Sequence, residues 1–282
     1  VAHSIEDSEQ YSQALYKIAT ALAQAGQFNE ALELARSSDV TNESRVTLLD
    51  EISKILAQAG YYNEALDVAR SIDPDWYPLI AFDRNSLTKM LAQAGQFNIA
   101  LELARSISFT PSQADALRDI VKCLGQANNL SRQQIFSETL SMSRTIEDIS
   151  TRIELLATIA ENITQDDNLI SQQLFNEALE LARSISNSSS RIKALTTIAQ
   201  GLAHRSGSLS QRVFNEALDT VRVIDDDFSR SSSLENITKA LAQTYSLMNK
   251  PLLNTAINIT QSIDDAKKRA NALSKIVSAL AQ

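Results

Sequence analysis

The chain has 282 residues, 44% of them apolar, which is enough for one large domain or two ordinary ones. Its net charge of −8 argues against nucleic acid or an anionic membrane as the partner. The single cysteine, Cys123, excludes an internal disulfide and a cysteine-based zinc site, and it favours a reducing, cytoplasmic setting. No stretch approaches the roughly 18 apolar residues that a membrane-spanning helix needs.

The predicted elements are helices that occur in pairs. A first helix is predicted from about residue 11 to 25, because Leu15 and Ile18 fall on one apolar face with its other leucines and alanines. Gly26 ends it, since a tight turn needs the backbone freedom of glycine. The second helix begins near Phe28. With only 6 glycines and 4 prolines in the chain, little material is present for β-turns, so an all-α fold is expected.

The pair repeats along the chain. Residues 22–37 read LAQAGQFNEALELARS, and residues 91–106 match them at every position except Glu30, where the later copy has Ile99. One alanine of the second helix marks the repeat as Ala31, Ala65, Ala100, Thr139, Ala178, Ala217 and Ala256. The steps are 34 and 35 residues at first and 39 afterwards. Because one pair cannot bury its apolar face alone, neighbouring pairs are expected to stack.

We therefore expect seven helical hairpins plus partial terminal helices. Residues 1–10 are the tail of a preceding repeat, and the final first helix stands alone. The short hairpins are 11–40, 41–73 and 74–110, the long ones are 111–148, 149–187, 188–227 and 228–264, and the lone helix is 265–282. Neither end has the polar capping repeat of a closed array, which favours a segment of a longer protein.

The repeat resembles the tetratricopeptide repeat (TPR), a pair of helices of about 34 residues. The small residue before the turn, Gly26, Phe28 and the Ala31-Leu32 pair match it, whereas its Trp, Tyr, later Phe and Pro positions are filled by other residues. The resemblance implies a right-handed α-α superhelix, a TPR-like solenoid, whose concave groove is lined by the first helices and binds protein. Similar arrays occur in large bacterial multidomain proteins.

The expected function is a non-catalytic scaffold or adaptor that holds a peptide or protein segment in that groove. The alternative is a ligand-sensing regulatory module of a larger signalling protein of the ATPase type. No nucleophile elbow, phosphate loop or zinc-protease motif is present, and His3 and His204 are far apart in the array. No cofactor or metal is expected, and the oligomeric state stays open.

Functional residues are expected where the repeats differ, on the outward positions of the first helices. In an acidic chain, repeats two to four place five basic or amide residues there: Lys54, Asn85, Lys89, Arg118 and Lys122. We expect a basic pocket for an acidic peptide or a terminal carboxylate. The alternative is a solvated lysine face near the ends of the helices.

Two further features have two interpretations each, and a third is interpreted as scaffold. The amides Gln58, Gln93 and Gln126 either bond a peptide backbone in the groove, or have a structural role in which they cap their own helices or bridge to the next repeat. An irregular joint with Trp76 and Tyr77 is either an aromatic binding loop or a plug at a kink. The arginines that recur at the helix ends are interpreted as structural residues of the scaffold. Those that end the second helices complement the helix dipole. Those opening the later first helices, such as Arg152, pair with the capping aspartate four residues before.

Overall fold

The computed structural model describes residues 8–37, 42–72, 78–126, 132–163, 168–244 and 250–280. These ranges contain helices and no strand, which confirms the all-α prediction. The chain divides into two compact halves, an N-terminal half (Val1–Thr139) and a C-terminal half (Leu140–Gln282).

The described ranges hold fifteen helices in a packed array. The first eight helices, of which α8 contains the boundary between the halves, are α1 (Ser8–Gln24), α2 (Phe28–Arg36), α3 (Asn42–Gln58), α4 (Tyr62–Ser71), α5 (Pro78–Gln93), α6 (Phe97–Arg105), α7 (Thr110–Gln126) and α8 (Arg132–Arg144). The others are α9 (Ile149–Asn162), α10 (Asn168–Ser184), α11 (Ser188–Ala203), α12 (Gly207–Arg222), α13 (Asp227–Gln243), α14 (Lys250–Thr260) and α15 (Ala266–Leu280).

Odd-numbered helices are the first helices of the pairs, and six of them pack both on their own partner and on the next first helix. In the N-terminal half α1 packs on α2 and α3, α3 on α4 and α5, and α5 on α6 and α7. In the C-terminal half α9 packs on α10 and α11, α11 on α12 and α13, and α13 on α14 and α15. Helix pairs therefore share apolar faces with their neighbours along the chain, as expected of a helical repeat.

The alanine that marks the repeat lies in the core of this packing. All seven positions in that column, from Ala31 to Ala256, are fully buried. The one exception in sequence, Thr139, is also buried and donates its hydroxyl hydrogen to the Ile135 carbonyl oxygen at 2.8 Å. Small or internally satisfied side chains are needed there because the helix axes approach closely.

The turns of the first three pairs use glycine as predicted. Gly26, Gly60 and Gly95 have φ between 77° and 88°, the left-handed region that favours glycine. In the first turn the Gly26 N–H donates to the Ala23 carbonyl at 3.0 Å, and the Gln27 N–H donates to the Leu22 carbonyl at 2.9 Å. This is the Schellman arrangement, which satisfies the last carbonyl groups of α1.

The later first helices begin with the predicted side-chain caps. Asp148 accepts a hydrogen bond from the Thr151 N–H at 2.7 Å, Asn187 does so from Ser190 at 2.9 Å, and Asp226 from Ser229 at 2.6 Å. The prediction of a following arginine paired with that aspartate was wrong for Arg152. Its Nε donates to the Ile146 carbonyl oxygen at 2.7 Å.

Arg230 and Arg269 make the same contact as Arg152. Each donates to the carbonyl of the isoleucine six residues earlier, at 2.6–3.0 Å for Ile224 and 2.7 Å for Ile263. That isoleucine follows the end of the preceding second helix, where carbonyl groups lack helical partners. The arginine therefore ties the start of a first helix to the end of the helix before it.

Candidate functional site

Lys54 does not project freely from the surface. Its Nζ lies 2.5 Å from Asp50 Oδ2 on the same helix, α3, and the side chains are only 18% and 9% exposed. Asp50 itself is buried. Separating a half-buried ion pair costs free energy. Lys54 therefore stabilises the packing of the first helices and is less available to bind a ligand.

Arg84 is the residue of this region that sequence reasoning missed. Its side chain is 4% exposed. Its guanidinium donates to three carbonyl oxygens, of Ile72 at 2.7 Å, Ser106 at 2.9 Å and Ala69 at 3.3 Å. Burial lowers the pKa of Arg84, and the nearby charge of Asp50 opposes that shift.

The repeat pattern contains a signal from which the structural role of Arg84 could have been predicted. The position that holds Arg152, Arg230 and Arg269 in later repeats is occupied by Ile80 in the third. Arg84 follows one helical turn later and bonds the carbonyls at the end of α4 in its place.

Asn85 lies beside Arg84 on α5 and is half-buried. Its Oδ1 is buried and has no hydrogen-bond partner among the described residues. A buried acceptor without a partner is uncommon in a folded protein and costs free energy. Because this oxygen is buried, it is closed to a ligand on the surface of α5.

Lys89 and Lys122 remain exposed, on α5 and α7, which pack together. Within the described ranges, neither amine has a carboxylate at ion-pair distance. The charge of Lys89 stabilises the Cys123 thiolate, so Lys89 lies near the part of α7 that carries Lys122. The two lysines therefore lie on adjoining first helices.

Arg118 is half-buried and already has a partner, since its Nη2 contacts Asp115 Oδ1 on the same helix. Gln58, Gln93 and Gln126 are exposed at the ends of α3, α5 and α7. The described structure records no hydrogen bond from these three amide side chains, so capping of their own helices is not observed. Trp76 and Tyr77 lie outside the described residues.

Cys123 is half-buried in the packing of α7. Burial raises the pKa of its thiol, Asp119 raises it further, and Lys89 lowers it. A raised pKa leaves less of the reactive thiolate, which is typical of a cysteine that serves packing. Among the described residues no group of three or more His, Cys, Asp or Glu side chains is placed to hold a metal ion.

The arginines that end the second helices do more than complement the helix dipole. Three of them pair with a glutamate 33 residues later, in the second helix of the next repeat: Arg105 with Glu138, Arg144 with Glu177, and Arg183 with Glu216. The Nη2–Oε2 distances are 2.6, 2.8 and 2.7 Å. Arg70 faces the repeat where Ile99 replaces this glutamate, and it lies 3.7 Å from Glu102 instead.

No model of a known protein family matches the chain, and no curated protein matches it. Among solved structures, the chain is similar to the crystal structure of Ton1535 from Thermococcus onnurineus NA1. The two are 17% identical over 98% of this chain and 93% of that one, with a TM-score of 0.25. The class established by the fold itself is an all-α protein of packed helix pairs, compatible with a helical repeat. Within the described residues, no helix combines the length and apolar character that crossing a membrane requires.

Proposed function

We propose that the chain is a non-catalytic protein-interaction scaffold, a TPR-like right-handed superhelix that binds an acidic peptide segment along its first helices. The observation that carries this proposal is the pair of exposed lysines without carboxylate partners, Lys89 and Lys122, on adjoining helices of an acidic protein. We assign it to a bacterial, cytoplasmic protein, in keeping with the single cysteine and with the arrays that it resembles.

The site that we propose differs from the sequence hypothesis in its members. Lys54 and Arg118 are engaged by Asp50 and Asp115 and position the helices. Lys89 and Lys122 supply the charge that attracts a carboxylate. Asn85 is not assigned a contact with the peptide, because its Oδ1 is buried.

The exposed amides extend the same surface. Gln58, Gln93 and Gln126 recur at the ends of three successive first helices, and each amide can both donate to and accept from a peptide backbone. This arrangement would hold an extended segment without reading most of its side chains. Specificity for acidic residues then comes from Lys89 and Lys122.

The test is fluorescence anisotropy with two labelled peptides of equal length, one rich in Glu and the other with Gln at the same positions. We expect the acidic peptide to bind more tightly, with an affinity that falls as salt is added. Changing both Lys89→Glu and Lys122→Glu should weaken it at least tenfold, which is about 1.4 kcal/mol.

The matched control is Lys239→Glu with Lys267→Glu, because these exposed lysines of the C-terminal half give the same change in net charge. The control should bind like the unmodified protein. Equal loss in both double variants would show that net charge alone is responsible and would overturn the proposed site.

A further inference from the structure

The C-terminal half contains an open cavity of about 570 Å³ that is separate from the surface proposed above. It is formed by the end of α10, the first turn of α11 and the outer side of α12. Its volume lies within the range of sites for small molecules, roughly 300–1,000 Å³. Three guanidinium groups line it, from Arg183, Arg191 and Arg212.

The charges of the cavity do not cancel. Arg183 is held by Glu216 in a bidentate ion pair, with distances of 2.7 and 2.8 Å. The other acidic residue of the wall, Asp219, is bonded to Arg222 at 2.6 Å. In the described part of the chain no carboxylate lies within ion-pair distance of Arg191 or Arg212.

Arg191 also departs from the pattern of its column. Arg152, Arg230 and Arg269 each donate to a carbonyl six residues earlier. No such bond is recorded from the Arg191 side chain, whose buried Nε has no hydrogen-bond partner among the described residues. The guanidinium of Arg191 is therefore free of the structural contact that occupies its counterparts.

Two other residues of the wall differ from their counterparts in neighbouring repeats. Arg212 occupies the position of Gln134 and Gln173. Val223, which is 67% exposed, occupies a position that holds a hydroxyl residue in every other repeat. The hydroxyl residues of that column are Ser37, Ser71, Ser106, Thr145, Ser184 and Ser262.

Having valine instead of a hydroxyl residue at position 223 removes a hydrogen bond at the end of the helix, and no contact within the described part of the scaffold compensates for it. In the described structure, Ser71, Ser106 and Ser184 each donate to a carbonyl three residues earlier at 2.7 Å, near the end of a second helix. Valine cannot make this bond, and it exposes an apolar side chain to water instead. Compared with the neighbouring repeats, this cavity therefore has one additional cation, Arg212, and one additional exposed apolar side chain, Val223.

We propose that this cavity binds a small organic anion, a phosphate or carboxylate group attached to an apolar body. Arg191 and Arg212 bind the oxygens, for which the planar guanidinium is well suited. Val223 contacts the apolar body, and the buried Val213 lies in the wall beside it. The bidentate pair of Arg183 with Glu216 fixes the wall between them.

The experiment is a titration of the whole chain with phenyl phosphate, phenylacetate, inorganic phosphate and benzyl alcohol, followed by NMR signals of the valine methyl groups. We expect saturable shifts of Val213 and Val223 with at least one of the two aromatic anions. Which of the two binds more tightly decides between phosphate and carboxylate. Inorganic phosphate and benzyl alcohol should each bind at least tenfold more weakly.

The test variants restore the residues of the neighbouring repeats, so both are expected to fold. Arg212→Gln should weaken anion binding at least tenfold, and Val223→Ser should weaken the aromatic anions while leaving inorganic phosphate unchanged. Lys193→Gln is the control, because it removes one exposed cation of the same half outside the cavity. Absence of saturable binding, or equal binding to Arg212→Gln and the unmodified protein, would overturn the proposal.

Discussion

Arg183 and Glu216 come from the second helices of successive repeats, and the guanidinium donates to both carboxylate oxygens, at 2.8 Å from Nε and 2.7 Å from Nη2. Arg144 and Glu177 form the same pair 39 residues earlier. The glutamate of each pair occupies the position of Glu30. That position is the only one at which residues 22–37 and 91–106 differ, because the later copy has Ile99. That difference therefore changes how the second helices are joined.

The first prediction concerns the strength of these ion pairs between successive second helices. A double-mutant cycle of Arg144→Ala and Glu177→Ala should give a coupling free energy of about 0.2–1 kcal/mol from urea unfolding, because the side chains are exposed and water screens them. The coupling should fall as salt is added. A coupling well above about 2 kcal/mol that is insensitive to salt would contradict this description.

The second prediction concerns the pH dependence of stability. The hydrogen bond from Arg183 lowers the pKa of Glu216, its burial opposes the shift, and the charges of Arg183 and Arg191 assist it. A carboxyl whose pKa is lower in the folded state adds stability above its unfolded pKa, and this stability is lost as the pH falls through the folded value.

For Glu216, the free energy of unfolding should therefore decrease more between pH 7 and pH 3 in the unmodified protein than in Glu216→Gln. A direct measurement is the carboxyl carbon NMR titration of Glu216, whose midpoint should lie below 4.5. A midpoint at or above that value would show that the ion pair does not persist in solution.

The third prediction concerns Arg84. Arg84→Met should lower the free energy of unfolding by about 2–4 kcal/mol, since three carbonyl groups lose a charged donor. Arg84→Lys should recover only part of this, because one amine cannot reproduce the fork of the guanidinium. Arg105→Met, at an exposed arginine, provides the comparison and should cost less than about 1 kcal/mol. An equal loss of unfolding free energy in Arg84→Met and Arg105→Met would argue against the buried hydrogen bonds of Arg84.

The fourth prediction concerns the turns. Gly95→Ala should destabilise the protein by about 1 kcal/mol, because φ is +77° and an L side chain rarely adopts it. Gly207 is the matched control: it opens α12, its added Cβ would likewise meet nothing within 4 Å, and its φ is not in the left-handed region. Gly207→Ala should be neutral or slightly stabilising in the same urea titration. Similar losses at both positions would exclude the turn geometry as the cause.

Much of the fold was predictable because it depends on short-range patterns. Gly26, Gly60 and Gly95 follow apolar stripes of helical period, so the turns could be placed from the sequence. Asn187 and Asp226 stand just before such stripes and form the expected caps. Each of these interactions lies within a few residues, where spacing alone determines which groups meet.

The contacts that sequence reasoning missed connect distant residues. The pairing of Arg144 with Glu177 depends on how two second helices align, and the burial of Asp50 depends on how closely the first helices pack. A single helix does not contain that information. Lys54 was therefore assigned to the surface although its charge is taken up by a buried neighbour.

The central claim is that a peptide lies on the first helices of the N-terminal half. It is tested most directly by a photo-cross-linking amino acid placed at Gln126, one turn after Lys122 on α7, or at Glu102 on the second helix α6, with a labelled acidic peptide and mass spectrometry. The account predicts cross-links from position 126 that an excess of unlabelled peptide removes, and none above background from position 102. Equal cross-linking from both positions, or cross-linking from position 102 alone, would contradict it.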